Sequence, residues 1–187
     1  ATTEATSLTA DRVVIDADLA AAEALLPPEY RRSDYAERSE QGGGQGWRYS
    51  SSTVSFFFCL DKRYPQLRHH NVFIGGDDAW DGLFDAAAYS VWGQRQGAPN
   101  FYVHAPARTD PSVVEVETDD AIMVLVPVPP IDERLSAEER RDATEKAVER
   151  ARAAVLAAFA NAGMDGFEAA FVEERVRTPL GWREAYG

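Results

Sequence analysis

Three side chains able to carry charge or protons, His104, Arg108 and Asp110, fall within seven residues of one another, directly after an aromatic and β-branched run, Phe101-Tyr102-Val103. Pro106 and Pro111 stiffen the backbone between and beyond them. Two kinds of chemistry fit such a hook at a strand end. Arg108 and Asp110 can pair with each other or cap the two proline turns, which holds a loop and does nothing more. Alternatively, the strand end delivers polar groups to the mouth of an apolar pocket, where they fix the orientation of a ligand. A lone charge in such a low-dielectric place is costly, so the second reading requires a partner or a cofactor charge nearby.

The other reactive residue types form no pattern of comparable density. His69 and His70 are adjacent, and His104 is the only further histidine. A zinc centre needs three or four ligands, usually at a recognisable spacing such as HExxH, so no metal site is expected and the pair reads as part of a solvated loop. No GxSxG elbow is present, and Ser51, Ser52, Thr53 and Ser55 read as residues of a strand and its start. The loop Gly42-Gly43-Gly44-Gln45-Gly46 lacks the preceding strand and following helix that a phosphate cradle needs. Cys59, the single cysteine, lies inside an apolar run and is expected to be a small buried side chain.

The elements that must position these groups follow from the pattern of apolar residues. Val13-Val14-Ile15, Asp16-Ala17-Asp18 and Leu19 to Leu26 read as strand, turn and helix, with Pro27 and Pro28 as the stop. Ser51 to Leu60 is the clearest strand: alternation sends Val54, Phe56, Phe58 and Leu60 to one face, and Thr53, Ser55, Phe57 and Cys59 to the other. Asn71 to Gly75 predicts a short strand, and Ala79 to Ser90 a helix carrying Trp80, Leu83, Phe84 and Tyr89. Ala121 to Val128 is apolar enough for a strand buried on both faces, with Pro127 at an end or edge of the sheet. Ser136 to Glu139 has the form of a capping box and predicts a long helix with an alanine-rich inner stripe, stopped at Gly163. Phe167 to Val176 completes the list as a short strand. The expected fold class is therefore α+β, a mixed sheet of about four to six strands with packed helices. Its aromatic face serves either an apolar ligand or the chain's own core.

Composition narrows the partners. The chain has 187 residues and a formal charge of −12, from 19 basic and 31 acidic side chains. Nucleic acid is an unsuitable partner for so acidic a chain, because phosphate binding relies on Lys and Arg. No stretch reaches the roughly 20 apolar residues of a membrane span, so any membrane contact is expected to be peripheral. The first residue is not Met and the sequence stops just after WREAYG, which suggests a piece of a longer chain.

Five segments in order, VVIDADLAAAEALLPPEYRR, YSSSTVSFFFCLDKRYPQLRHHNVF, PNFYVHAPARTDPS, VLVPVPPI and RVRTPLGWRE, resemble the phytoene desaturases of carotenoid biosynthesis. These are FAD-dependent flavoproteins of the amine-oxidase-like superfamily. The resemblance implies an internal-to-C-terminal piece of such an oxidoreductase: residues 1–30 as a segment returning to an incomplete, Rossmann-like FAD-binding domain, and 31–187 as the substrate domain. It implies desaturation of phytoene, an apolar C40 polyene precursor, with FAD in the full-length parent, peripheral association with a membrane on the cytoplasmic side, and no activity of the isolated piece. A carotenoid isomerase or oxygenase relative, or a non-catalytic module that binds an apolar lipid or carotenoid, stands as the alternative. By resemblance, Asp16, Ala17 and Asp18 lie near the cofactor, although Asp16 replaces the usual Asn. Thr53 and Ser55 face the flavin ring; Phe56, Phe57 and Phe58 line the substrate tunnel. Tyr102, His104, Arg108 and Asp110 form the hook beside that tunnel. The stretches VVEVETDD and PVPPIDERLSAEER depart from the family's usual loops.

Overall fold

A computed structural model describes residues 7–17, 19–32 and 49–186. The chain divides into two units, one within residues 1–46 and the other at Trp47–Tyr186. In the first, α1 (Leu19–Leu25) ends before Pro27 and Pro28, as a proline stop requires. Val13 and Val14 are exposed coil and not the expected strand; among the described residues nothing pairs with them. The glycine-rich loop at 42–46 lies outside the described residues.

The second unit is built on a five-stranded sheet with the order β2-β3-β4-β1-β5. Its strands are β1 (Ser52–Leu60), β2 (His70–Phe73), β3 (Phe101–His104), β4 (Asp120–Val128) and β5 (Phe171–Arg177). Every neighbouring pair is antiparallel, so the expectation of a mixed sheet is corrected while the α+β class stands. β1 takes a central place because its alternation offers a fully apolar face. Val54, Phe56, Phe58 and Leu60 are all buried there, beside Ile122, Val124, Val126 and Val128 of β4 and Phe101 and Val103 of β3. β4 is not buried on both faces as its apolar run suggested: its residues alternate between buried and half-buried, with the buried ones on the face that the helix Ala137–Asn161 packs against.

The covering helix is α3 (Ala137–Asn161). Ser136 and Glu139 form the reciprocal capping box at its start. At its end Gly163 has φ +75°, and the amides of Gly163 and Met164 bond back to Ala160 and Phe159, which is the Schellman arrangement. Ala143, Ala147, Ala151, Val155 and Phe159 face the sheet, and the small side chains let helix and sheet approach closely. The helix expected over residues 79–90 is instead two 3₁₀ turns, Asp77–Trp80 and Ala86–Ala88, and a short helix α2 (Tyr89–Trp92). Gly82, at φ +67°, breaks the run, and Trp80 and Phe84 end up exposed. Gly93 then lets α2 touch α3: a Cβ there would stand 2.6 Å from the Lys146 backbone. A last helix, α4 (Pro179–Tyr186), follows β5 and contacts β1 and α3.

Candidate functional site

Opposite α3 the sheet presents a second face, defined by register. Tyr102 stands opposite Leu125, Leu125 opposite Ser55, His104 opposite Met123, and Met123 opposite Phe57. Directly cross-strand residues share a face, so Tyr102, His104, Met123, Leu125, Ser55 and Phe57 form one surface, extended by His70 and Val72 of β2 and by Arg175 and Arg177 of β5. Phe57, Tyr102, His104, Met123 and Leu125 are all half-buried. Ser55 is fully buried and its hydroxyl lies 3.3 Å from that of Thr53. The arrangement is an apolar and aromatic floor with hydroxyls at its middle and histidines at one end, suited to a long hydrocarbon or a flat ring.

Alternation thus divides the three phenylalanines expected to line a tunnel. Phe57 lies on the open floor with Thr53 and Ser55. Phe56 and Phe58 point the other way, into the core: their rings stack on each other at 5.8 Å, and Phe58 meets Phe167 edge-on at 5.3 Å. They are buried in the core beneath the floor. Cys59, expected to be buried, is exposed on the open side, across from Ala121 of β4 and Glu173 of β5.

The hook of residues 104–110 also separates into parts. Arg108 does not pair with Asp110. Its Nη1 and Nη2 donate to the two carboxylate oxygens of Asp120 at 2.9 and 2.8 Å, while Nε and Nη2 also donate to the carbonyls of Leu67 and Tyr64. The Asp120 side chain is completely buried, so this fork neutralises a charge that would otherwise be expensive. Asp110 is exposed and accepts from the amide and hydroxyl of Ser112, which caps the next 3₁₀ turn and pulls its carboxyl below the usual range. Both acts are the loop-holding kind; Asp120, 12 residues downstream, is the partner that sequence spacing hid.

His104 has company that spacing gave no sign of. It pairs across the ladder with His70, and its Nε2 lies 2.8 Å from Nε2 of His69. Nδ1 of His69 bonds the Thr109 hydroxyl, and Nδ1 of His70 bonds the Tyr102 hydroxyl. Burial, then the neighbouring His69 and His70, push the His104 pKa down, which favours the neutral ring. Asn71 fixes the approach to β2 by bonding both the amide and the carbonyl of Arg68, each at 2.8 Å. Next to this cluster is a cavity of about 520 Å³, lined by Arg63, Pro65, Leu67, Arg68, His69, Arg108 and Thr109. Of the residues expected near a cofactor, Asp16 and Ala17 are exposed in the chain before α1, and Asp18 lies outside the described residues.

No protein-family model matches the chain. Among characterised proteins, a zeta-carotene-forming phytoene desaturase of Myxococcus xanthus is 36% identical over 179 residues, 92% of this chain and 30% of its own length. A phytoene desaturase of Neurospora crassa is 31% identical over 184 residues, covering 96% of this chain and 28% of that protein. An all-trans-zeta-carotene desaturase of Myxococcus xanthus is likewise 31% identical over 184 residues. The chain spans about three tenths of the length of these relatives.

Proposed function

We propose that this chain, a relative of the phytoene desaturases along nearly all of its length, forms one wall of the channel in which an FAD-dependent enzyme desaturates a carotenoid precursor. The open sheet floor is the observation that supports this reading. A hydrocarbon offers no polar handle, so its affinity must come from apolar surface removed from water, at roughly 25 cal/mol per Å². Phe57, Met123, Leu125 and Tyr102 supply such surface and stay half-exposed in the chain by itself. The rigid sheet and the core beneath it hold the floor in place.

FAD, when bound, supplies the acceptor for the hydrogen removed from the substrate. The described residues fit only part of its environment. No glycine-rich turn opens a helix among them; the helix after Asp16 and Ala17 begins with leucine and alanines. In this reading the phosphates of the dinucleotide are held elsewhere, residues 1–30 return toward that domain, and the present floor orients the polyene and keeps water away. Thr53, half-buried, is the hydroxyl on it able to meet a polar ring edge, with Ser55 buried behind it. A substrate that partitions into lipid places the protein at a membrane surface on the cytoplasmic side, by peripheral contact; no helix among the described residues is long and apolar enough to cross a bilayer.

The test places a charge on the floor. In bacteria that make phytoene, with the protein expressed from its whole genomic reading frame, Leu125→Asp and Phe57→Asp should abolish coloured product while the protein still accumulates. Phe84→Asp, at a residue 55% exposed and away from the sheet, should not. Unchanged product from both floor variants overturns the reading, and binding of polyene without any flavin in the purified protein points instead to a non-catalytic carotenoid-binding module.

A further inference from the structure

The three histidines of the chain are 35 positions apart at most, yet one potential ligand atom from each lies within 4.8 Å of the other two. We propose that His69, His70 and His104 bind a single divalent transition-metal ion, Zn²⁺ or one of similar preference for imidazole, through their Nε2 atoms. Nothing in the floor's proposed role calls for such a site, and it stands independently of that role.

The fold builds the cluster from three directions. Register places His70 across from His104 on the open face. The next ladder bond, from the Ala105 amide to the His69 carbonyl at 2.9 Å, ties the third residue to the same spot. The ring centroids are 4.2, 4.7 and 5.6 Å apart, which surrounds one small volume with three imidazoles.

The outer contacts are those of a ligand set. A metal-binding histidine commonly has its second ring nitrogen held by a hydrogen bond, which fixes the ring and its tautomer. Thr109 does this for His69 and Tyr102 for His70. The Thr109 hydroxyl itself donates to the Pro106 carbonyl, so it accepts from Nδ1–H of His69 and leaves a lone pair on His69 Nε2. That lone pair faces Nε2 of His104 at 2.8 Å, an approach that needs a hydrogen between them. A metal ion takes the hydrogen's place, with His104 moving its ring proton to Nδ1.

Tetrahedral nitrogens at 2.0–2.1 Å from zinc stand about 3.3 Å apart, so the close pair opens by about half an ångström and the exposed His70 ring swings inward. Imidazole donors select Zn²⁺, Cu²⁺, Ni²⁺ or Co²⁺ over Mg²⁺ and Ca²⁺. Three protein nitrogens leave a fourth position open to water or an anion. The adjacent cavity suits an anion: Arg63 and Arg68 line it with His69, and Arg108 there is already neutralised by Asp120.

The experiment titrates the untagged 187-residue chain with Zn²⁺ by calorimetry and with Co²⁺ by visible absorption, while ring signals of the three histidines are followed by NMR. One equivalent should bind at micromolar or tighter affinity, shift all three rings together and give the absorption of a four-coordinate Co²⁺ site. Mg²⁺ should do none of this. His70→Gln, on an exposed side chain, should weaken binding by more than tenfold, and Tyr102→Phe by about tenfold, as loss of an orienting partner does. Absence of saturable binding to the unaltered chain, or equal binding by His70→Gln, overturns the proposal.

Discussion

Phe56, Phe57 and Phe58 are identical neighbours on β1, yet the sheet gives them two different fates. The outer two fill the space under α3 and contribute to stability. The middle one shares an open floor with Thr53, Ser55, Met123 and Leu125. The turn of residues 104–110 repeats the division: His104 rises onto the open face, and Arg108 runs beneath to Asp120. What one side invests in closure, with four hydrogen bonds from Arg108 to Asp120, Leu67 and Tyr64, the other leaves available. The difference teaches that burial and partners, not residue type, separate architecture from site in this chain.

The comparison breaks or sharpens under four substitutions. Phe58→Ala, on the covered face, should cost about 3–5 kcal/mol, because it removes a ring that touches Phe56, Phe167 and Phe171 and leaves a cavity. Denaturant unfolding at constant m-value measures it. Arg108→Leu should cost on the order of 3 kcal/mol, since it strands a fully buried Asp120, and a second change, Asp120→Leu, should return part of that loss. If Arg108→Leu instead unfolds normally and only alters the flavin content that the proposed function expects of the whole-frame protein, the arginine is part of the site and not of its support. Phe57→Ala should cost no more than about 1 kcal/mol and yet, on the proposed function, lower the yield of coloured product from the protein of the whole reading frame. A stability loss equal to that of Phe58→Ala would erase the distinction between the faces. Cys59→Ser should change stability by no more than about 0.5 kcal/mol, while the native Cys59 thiol should react with a maleimide without prior unfolding.

Much of the support was legible in the sequence. The alternation of SSTVSFFFCL, the capping box at Ser136 and the glycine stop at Gly163 are local rules, and the structure follows them because each is decided within a few residues. The antiparallel arrangement was not legible, since strand order depends on pairing between segments far apart. Helix 79–90 failed at Gly82, where a left-handed backbone won over apolar spacing. The buried partner of Arg108 and the grouping of the histidines were equally hidden: the first reaches from a turn to the first residue of β4, and the second depends on the β2–β3 register. The exposed Cys59 was missed because composition of a run says nothing of which face a helix covers. The relatives match the family that the five quoted segments resemble, over most of the chain.

The strand order also has a history to tell, one that belongs to the time before the fold exists. β1 is the first strand of this sheet to be synthesised, yet its two neighbours are β4 and β5, which begin at Asp120 and Phe171. On a ribosome adding roughly 5–20 residues per second, SFFFCL therefore emerges several seconds before either partner. During that interval a β-prone, uncharged stretch with no proline is free to pair with copies of itself. Asp61, Lys62 and Arg63, directly after its end, place charge beside it in the manner of gatekeepers. The late arrival of β5 makes contacts of long sequence separation obligatory, so folding should be slow for a unit of this size, and helper proteins that shield apolar segments should raise its yield more than added ligand does.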